Sequence, residues 1–231
     1  MGLTICEKIL ARACARPAVR PGDYVWARVD GTAIVGGAIG KRLEELGTEE
    51  LFDPDRIYVT EDHCAPSPSV AAANSSVAMR RLVERYKLPH FFEWGRHGIL
   101  HELFPQHGYV SPGDFIASLD SHSTSYGCFN AASCSISEEL PLVLTTGQVW
   151  LRVPPTLRFW FTGRLPGADK FVVGKDVILH LAGKHGTDCA LYKAIEFAGP
   201  GVSSISMAGR FTIANMSAEL GAKFEIGRAH V

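Results

Sequence analysis

The chain alternates short apolar runs with stretches of helical periodicity, and this alternation constrains its fold more than any other feature. The apolar runs predict strands at residues 24–29, 56–60, 90–94, 115–118 and 156–162. Helical patterns occupy residues 34–46, 69–86, 175–183 and 207–221. Strands that alternate with helices are typical of parallel sheets with helices on both faces. We therefore expect an α/β fold built from three-layer α/β/α domains with mostly parallel sheets.

A pair of prolines, Pro154 and Pro155, interrupts this pattern. The length of 231 residues corresponds to about 1.5 average domains. We therefore expect a first α/β domain over residues 1–152 and part of a second over residues 153–231. Just before this boundary, a proline and a glycine leave the structure of residues 137–149 ambiguous.

The N-terminal segment predicts a helix rather than a targeting sequence. Thr4 and Glu7 have the spacing of a capping box, and apolar residues follow at helical intervals. The segment lacks the continuous apolar region of a secretory signal, and its arginines leave a mitochondrial presequence as a weaker alternative. No apolar run reaches the ~18 residues that a membrane-spanning helix needs. We expect a cytoplasmic protein with no membrane partner.

Charge and cysteine content argue against several other classes of protein. Lys and Arg total 23 and Asp and Glu total 24, so the net charge of −1 gives no global attraction to nucleic acid. The six cysteines are scattered and form no Cys-x-x-Cys pair, which argues against a disulfide framework, a zinc ribbon or a ferredoxin-type site. We expect reduced thiols and no nucleic-acid partner.

Polar residues suited to acid–base chemistry follow two of the predicted strands. Asp62 and His63 come after the strand at 56–60, and Asp120-Ser121-His122 comes after the strand at 115–118. Ligands of open α/β sheets bind beyond the carboxyl ends of the strands, so these two clusters are placed to converge on one site. A single Asp-His pair in a loop is usually only solvated, but two such clusters favour a functional site.

Two further candidates lie outside these clusters. His101 lies in a glycine-containing loop after the strand at 90–94, and Glu196 precedes a Gly-Pro-Gly turn that can direct its side chain inward. Taken singly, each is most simply a structural residue. His97 and His101 are spaced like two ligands of a zinc helix, but the glutamate follows the second histidine, which disfavours zinc.

Several longer motifs together resemble the aconitase superfamily, and within it the group of isopropylmalate dehydratase large subunits and homoaconitases. The matching stretches include DRIYVTEDHCAP, FIASLDSHSTSYG, GKDVILHLAGKHG, EFAGPG and TIANMSAELGA. They occur in the order of the family and cover nearly the whole chain. The resemblance identifies the chain as an N-terminal fragment: the first α/β domain and most of the second.

This resemblance implies a hydro-lyase that removes water from a hydroxy polycarboxylate and adds it back. The family has three α/β domains around a [4Fe-4S] cluster and a fourth, swivelling domain, which isopropylmalate dehydratases carry on a separate small subunit. The cluster cysteines of the family are expected beyond the end of this chain, since its own cysteines match none of them. We therefore expect the fragment alone to bind no cluster and to be inactive.

The resemblance also assigns roles to the candidate residues. Asp62 and His63 match the pair that protonates the departing hydroxyl, with Asp62 holding His63 charged and oriented. His101 matches a second histidine near the substrate. Asp120 and His122 match residues that border the substrate.

Ser121 and Glu196 complete this assignment. Ser121 matches a residue that hydrogen-bonds a substrate carboxylate, and Glu196 matches the carboxylate partner of His122. The chain also departs from the family: residues 31–40 lack a Gln or His found there in relatives, and residues 133–142 replace a Gly-rich stretch. The resemblance ends at Lys223, and residues 225–231 look like a translated sequencing adapter that we exclude from the fold.

Other functions stay open at this point. Within the family, homoaconitase or dimethylmalate dehydratase activity is an alternative to isopropylmalate isomerisation. A cluster-free binding fragment without catalysis, for example one that binds RNA, is a second, although no Lys/Arg-rich stripe supports it. A metal hydrolase that uses His63, His101 and His122 with Asp62 or Asp120 is a third.

Overall fold

The computed structural model describes residues 2–36, 43–166 and 172–227. Its strands are β1 (Tyr24–Arg28), β2 (Gly31–Val35), β3 (Ile57–Thr60), β4 (His90–Phe92), β5 (Phe115–Leu119), β6 (Ala132–Ser135), β7 (Gln148–Arg152), β8 (Thr156–Trp160), β9 (Ala194–Ala198) and β10 (Phe224–Ile226). The α-helices span Ile5–Ala13, Val70–Tyr86, Leu100–Gln106, Leu140–Thr146, Gly174–His185 and Met207–Met216. Four 3-10 helices span Pro54–Arg56, Ser123–Phe129, Pro200–Ser204 and Ser217–Leu220.

Parallel pairing dominates the sheets, which confirms the predicted α/β class. Five strands form one parallel sheet in the order β4-β3-β2-β5-β6, and three strands form a second in the order β10-β9-β8. Strands β1 and β7 form a separate antiparallel ribbon. In a parallel sheet the carboxyl ends of all strands lie at one edge, so the residues that follow β3 and β5 share an edge.

The two faces of the five-stranded sheet pack against different layers. On one face, residues such as Ile34 and Val59 join a large core that includes the N-terminal helix and the helix Val70–Tyr86. On the other face, Ala33, Tyr58 and Ile116 pack against Leu100, Phe104 and Tyr126. This second, smaller core lies beneath the carboxyl edge and supports the site described below.

The N-terminal helix forms as its sequence predicts. The Thr4 hydroxyl accepts a hydrogen bond from the Glu7 N–H at 3.2 Å, and the Glu7 carboxylate accepts one from the Thr4 N–H at 2.6 Å. These two bonds confirm the capping box. They satisfy two backbone donors that a helix start otherwise leaves without partners.

The expected helix at 34–46 is wrong at its beginning. Ile34 and Val35 belong to β2, the central strand of the five-stranded sheet, and residues 37–42 lie outside the described part of the chain. A strand buried on both faces has no polar alternation, so its short apolar run cannot be distinguished from a buried helix by periodicity. Strands β6, β7, β9 and β10 were also not predicted.

The helix Val70–Tyr86 confirms the helical pattern predicted at residues 69–86. Val70 and Val77 are exposed, whereas Met79, Leu82 and Tyr86 face the core. The ambiguous segment at 137–149 contains the helix Leu140–Thr146, with a proline at its first turn and Gly147 in a left-handed conformation at its end. Both residues are thus compatible with a short helix.

The second sheet packs beside the first and contacts its main core. Phe224 and Ile226 of β10 belong to the core that contains the N-terminal helix. Strand β10 includes Glu225, a residue that the sequence interpretation excluded from the fold, and pairs it with Ile195 of β9. The origin of residues 225–231 and the division of the chain at residue 152 stay predictions.

None of the helices in the described ranges is long and apolar enough to cross a membrane.

Candidate active site

Asp120 is the centre of a hydrogen-bonded cluster at the carboxyl edge of the five-stranded sheet. It follows β5 directly, and its side chain is only 7% exposed. Its Oδ1 accepts hydrogen bonds from Nε2 of His101 at 2.8 Å and from the backbone N–H of His122 at 2.7 Å. Its Oδ2 lies 3.5 Å from Nε2 of His63. Asp120 therefore connects three of the histidine positions that the sequence singled out.

Asp62 links the end of β3 to the helix that carries His101. One carboxylate oxygen accepts a hydrogen bond from Nδ1 of His63 at 2.8 Å, and the other accepts one from the backbone N–H of Leu100 at 2.7 Å. Leu100 begins the helix Leu100–Gln106, whose first N–H groups have no partners within the helix. Asp62 thus fixes the imidazole of His63 and the start of this helix together.

His63 lies between two carboxylates. Its Nδ1 faces Asp62 and its Nε2 faces Asp120, while the side chain is 61% exposed. The contact with Asp62 is a hydrogen bond at 2.8 Å, and the contact with Asp120 is an ion-pair distance of 3.5 Å. The ring therefore lies between two acceptors and is open to solvent and to a small ligand.

Asp120 remains an anion in this setting. Burial raises the pKa of Asp120, but the hydrogen bonds from the His101 ring and the His122 backbone, together with the neighbouring histidines, outweigh burial and lower the pKa below its ordinary value. A carboxylate held ionised in this way is a hydrogen-bond acceptor and not a proton donor.

His122 connects the cluster to the second half of the chain. Its Nε2 lies 2.9 Å from a carboxylate oxygen of Glu219, and its Nδ1 lies 3.1 Å from the hydroxyl of Ser121. Glu219 lies in the 3-10 helix Ser217–Leu220, far along the chain from Asp120. Ser121 is exposed beside His122, where its hydroxyl can also reach a bound ligand.

The expected pairing of Glu196 with His122 is wrong. Glu196 lies on β9 and is buried, with one oxygen accepting a hydrogen bond from the Ile5 N–H at 2.7 Å and the other bonded to Arg158 at 2.7 Å. No hydrogen bond or ion pair within the described ranges joins Glu196 to the Asp120 cluster. Its acceptors are occupied by a helix start and by Arg158, so Glu219 takes its place as the partner of His122.

The sequence also did not predict two ion pairs that stabilise the end of β3. Glu61 precedes Asp62, and its buried carboxylate lies 3.7 Å from the guanidinium of Arg80. Arg80 also bonds to Glu93 beyond β4 at 2.8 Å. This network ties the ends of β3 and β4 to the helix Val70–Tyr86, and a Glu directly before an Asp-His pair was its only sequence signal.

The described residues do not fit an iron–sulfur cluster. They contain no group of three or more His, Cys, Asp or Glu side chains that could hold a metal ion. Burial raises the pKa of the Cys6, Cys128 and Cys134 thiols, whereas metal ligation requires thiolates. The same finding leaves the metal-hydrolase alternative without support, since His63 and His101 turn their Nε2 atoms toward Asp120.

Comparisons with known proteins give the same family along most of the chain. The profile of the aconitase family (aconitate hydratase) matches residues 50–228. The chain is 39% identical over 227 residues to the 3-isopropylmalate dehydratase large subunit of Thermodesulfovibrio yellowstonii, an alignment that covers 96% of this chain and 53% of that protein.

Two further relatives agree. The large subunit of Aquifex aeolicus is 39% identical over 227 residues, covering 96% of this chain and 52% of that protein. Large subunit 1 of Pyrococcus abyssi is 38% identical over 227 residues, covering 96% of this chain and 53% of that protein. The chain therefore spans about half the length of the curated relatives it matches.

Proposed function

Because the chain belongs to the aconitase family, we propose that it is the N-terminal half of a hydro-lyase that dehydrates and rehydrates a hydroxy polycarboxylate of the 3-isopropylmalate type. The relatives that match it over 96% of its length are named 3-isopropylmalate dehydratase large subunits. The name of these relatives supports a separate small subunit as a partner. Membership of the aconitase family supports a [4Fe-4S] cluster in the intact enzyme.

The placement of His63 between Asp62 and Asp120 is the observation that carries this proposal. Loss of a hydroxyl group needs a proton at the departing oxygen, because hydroxide is a poor leaving group. The ring of His63 lies between two carboxylates and is 61% exposed, so that its protonated form can reach a substrate at the sheet edge. His63 is therefore the general acid of dehydration and accepts the proton back in the reverse step.

The other cluster residues orient the substrate and the acid. Asp62 and Asp120 hold the ring of His63, and Asp120 is itself fixed by His101 and by the His122 backbone. Ser121 and His122 lie on the exposed side of the cluster, where a hydroxyl and an imidazole bind substrate carboxylate groups. These donors suit an anionic polycarboxylate better than a neutral alcohol.

We also propose which hydroxy acid is the substrate. Isopropylmalate is favoured by the names of the relatives, with homoaconitase or dimethylmalate dehydratase activity as the alternatives within the family. We place the enzyme in the cytoplasm. A cluster-free RNA-binding role has no supporting feature, since the net charge is −1.

A chimaeric enzyme tests the proposed reaction. The chain is joined in frame to the second half of the Thermodesulfovibrio yellowstonii large subunit, co-produced with the corresponding small subunit and loaded with iron and sulfide. The appearance of the dehydrated, unsaturated acid is followed by its ultraviolet absorbance with isopropylmalate, homocitrate, dimethylmalate and citrate as substrates. We expect turnover of isopropylmalate.

A matched variant gives the control for this experiment. His180 is exposed on the helix Gly174–His185, away from the cluster, so a His180→Ala chimaera should retain full activity. A folded, cluster-loaded chimaera that dehydrates none of the four acids would refute the proposed function.

A further inference from the structure

The hydroxyl of Tyr126 reaches a ring nitrogen of the site from inside the protein core. Tyr126 lies in the 3-10 helix Ser123–Phe129 and is fully buried. Its ring stacks on Phe104 with centroids 5.1 Å apart. Its hydroxyl lies 3.3 Å from Nδ1 of His101, and this is its only hydrogen bond to any described residue.

The opposite nitrogen of His101 limits the protonation states of the ring. Nε2 lies 2.8 Å from Oδ1 of Asp120, which can only accept a hydrogen bond as a carboxylate. Nε2 must therefore carry a proton. Two states satisfy this condition: a neutral ring with a bare Nδ1, and a cation with protons on both nitrogens.

The buried hydroxyl of Tyr126 distinguishes between these two states. If His101 were a cation, its Nδ1–H would donate to the Tyr126 oxygen, and the hydroxyl proton would have no acceptor among the described residues. With a neutral His101, the Tyr126 hydroxyl donates to the bare Nδ1, and both groups are satisfied. A buried donor without an acceptor is costly, so the neutral ring is favoured.

The hydroxyl keeps its proton throughout. Burial, followed by the negative charges of Asp120 and Asp62, raises the pKa of Tyr126 well above its usual range. Tyr126 is therefore available as a donor at any pH at which the protein is folded and its carboxylates are ionised.

We propose that Tyr126 is a positioning residue that holds His101 as the neutral imidazole protonated on Nε2. His101 then acts as a fixed donor to Asp120 and does not serve as a cationic proton donor. The two histidines whose side chains contact the Asp120 carboxylate thus differ in their second partner, which is a buried hydroxyl for His101 and a second carboxylate for His63. The tautomer of His101 can be tested independently of the proposed function, and only its role in catalysis rests on that function.

Nuclear magnetic resonance of the chain itself tests this proposal without turnover. Long-range ¹H–¹⁵N spectra of the histidine-labelled protein at neutral pH report which ring nitrogens carry protons, and a His101→Asn variant identifies the His101 signals. We expect a protonated Nε2 and a bare Nδ1. A wild-type His101 that is protonated on Nδ1 would overturn the proposal, even if Tyr126→Phe does not fold.

Removing the Tyr126 hydroxyl tests whether this group fixes the tautomer of His101. Tyr126→Phe keeps the ring and should lose the single tautomer, with His101 becoming a mixture that includes the cation. Tyr109→Phe is a matched control, because the Tyr109 hydroxyl also lies 3.3 Å from a histidine Nδ1, that of His90. It should change the His90 signals and leave those of His101 unchanged. An unchanged His101 pattern in folded Tyr126→Phe would contradict the proposal, whatever the chimaeric enzyme does.

Discussion

Nε2 of His63 lies 3.5 Å from Oδ2 of Asp120, although the two residues follow different strands, β3 and β5, that are separated by β2 in the sheet. The contact exists because all strands of this sheet are parallel, so that two chain segments leave it at the same edge. Side chains from both segments therefore meet at one edge of the sheet.

Replacing His63 should affect the reaction rate far more than substrate binding. In the chimaeric enzyme, we expect His63→Ala to lower kcat by about 10²–10⁴-fold, because a general acid contributes mainly in the transition state. Asp62→Asn should cost less, since the imidazole remains and only its charged partner is lost. Steady-state kinetics would separate kcat from KM. A kcat near that of the wild type in His63→Ala would remove the general-acid role.

The ionised Asp120 should make the stability of the chain depend on acid pH. Its pKa is lower in the folded protein, so its stabilising effect is complete above the unfolded-state value of about 3.9 and disappears as the pH falls through the folded value. Asp120→Asn should lower the free energy of unfolding by about 1–3 kcal/mol near pH 6. Urea unfolding should show this difference shrinking below about pH 4. A difference that is constant down to pH 2.5 would contradict an ionised, stabilising Asp120.

Replacing Glu196 should lower the stability of the chain more than replacing Glu219, whereas only the replacement of Glu219 should change the environment of the His122 ring. Glu196 is buried and bonds to Arg158 and the Ile5 N–H, so Glu196→Gln should destabilise the chain by about 1–3 kcal/mol in urea unfolding. Glu219 is half exposed, and Glu219→Gln should cost less than about 1 kcal/mol.

The histidine spectra complete this comparison. Glu219→Gln should shift the ring signals of His122, and Glu196→Gln should leave them in place. If Glu196→Gln alone shifted them, the family-based pairing of Glu196 with His122 would be correct and the observed one wrong.

The purified chain should hold no [4Fe-4S] cluster after anaerobic treatment with iron and sulfide. Four-iron clusters need convergent thiolates, and among the described residues the cysteines form no such group. Iron and sulfide analysis with visible absorption would measure the result. Removing iron with a chelator should leave the unfolding midpoint unchanged. A stoichiometric cluster would contradict this prediction and assign ligands within the chain.

The site could be predicted from the sequence where its chemistry is local. Asp62-His63 and Asp120-Ser121-His122 are short motifs beside short apolar runs, and the alternation of strands and helices implies a common edge. Glu219 and Tyr126 could not be found in this way. Glu219 resembles any exposed acid of a helix, and Tyr126 resembles any core aromatic until the fold places its hydroxyl against His101.

The fold, like the site, could be predicted only where its sequence signals are local. The capping box at Thr4 depends on residues three positions apart, and it was predicted correctly. The end of strand β2, at Ile34 and Val35, is assigned to a helix by its pattern because the strand is buried on both faces, and only pairing with β3 and β5 makes it a strand. Strand β9 begins and ends with alanine and is likewise defined by its neighbours β8 and β10.

The bond between the Ile5 N–H and Glu196 joins residues 191 positions apart and has a consequence for biosynthesis. The helix Ile5–Ala13 leaves the ribosome before β9 does, so the carboxylate that completes the start of the helix is made much later. At typical rates of 5–20 residues per second, the helix waits about 10–40 s for this partner. During that interval its apolar face lacks the part of the core contributed by β9 and β10, so this face of the nascent chain is open to chaperones and to aggregation.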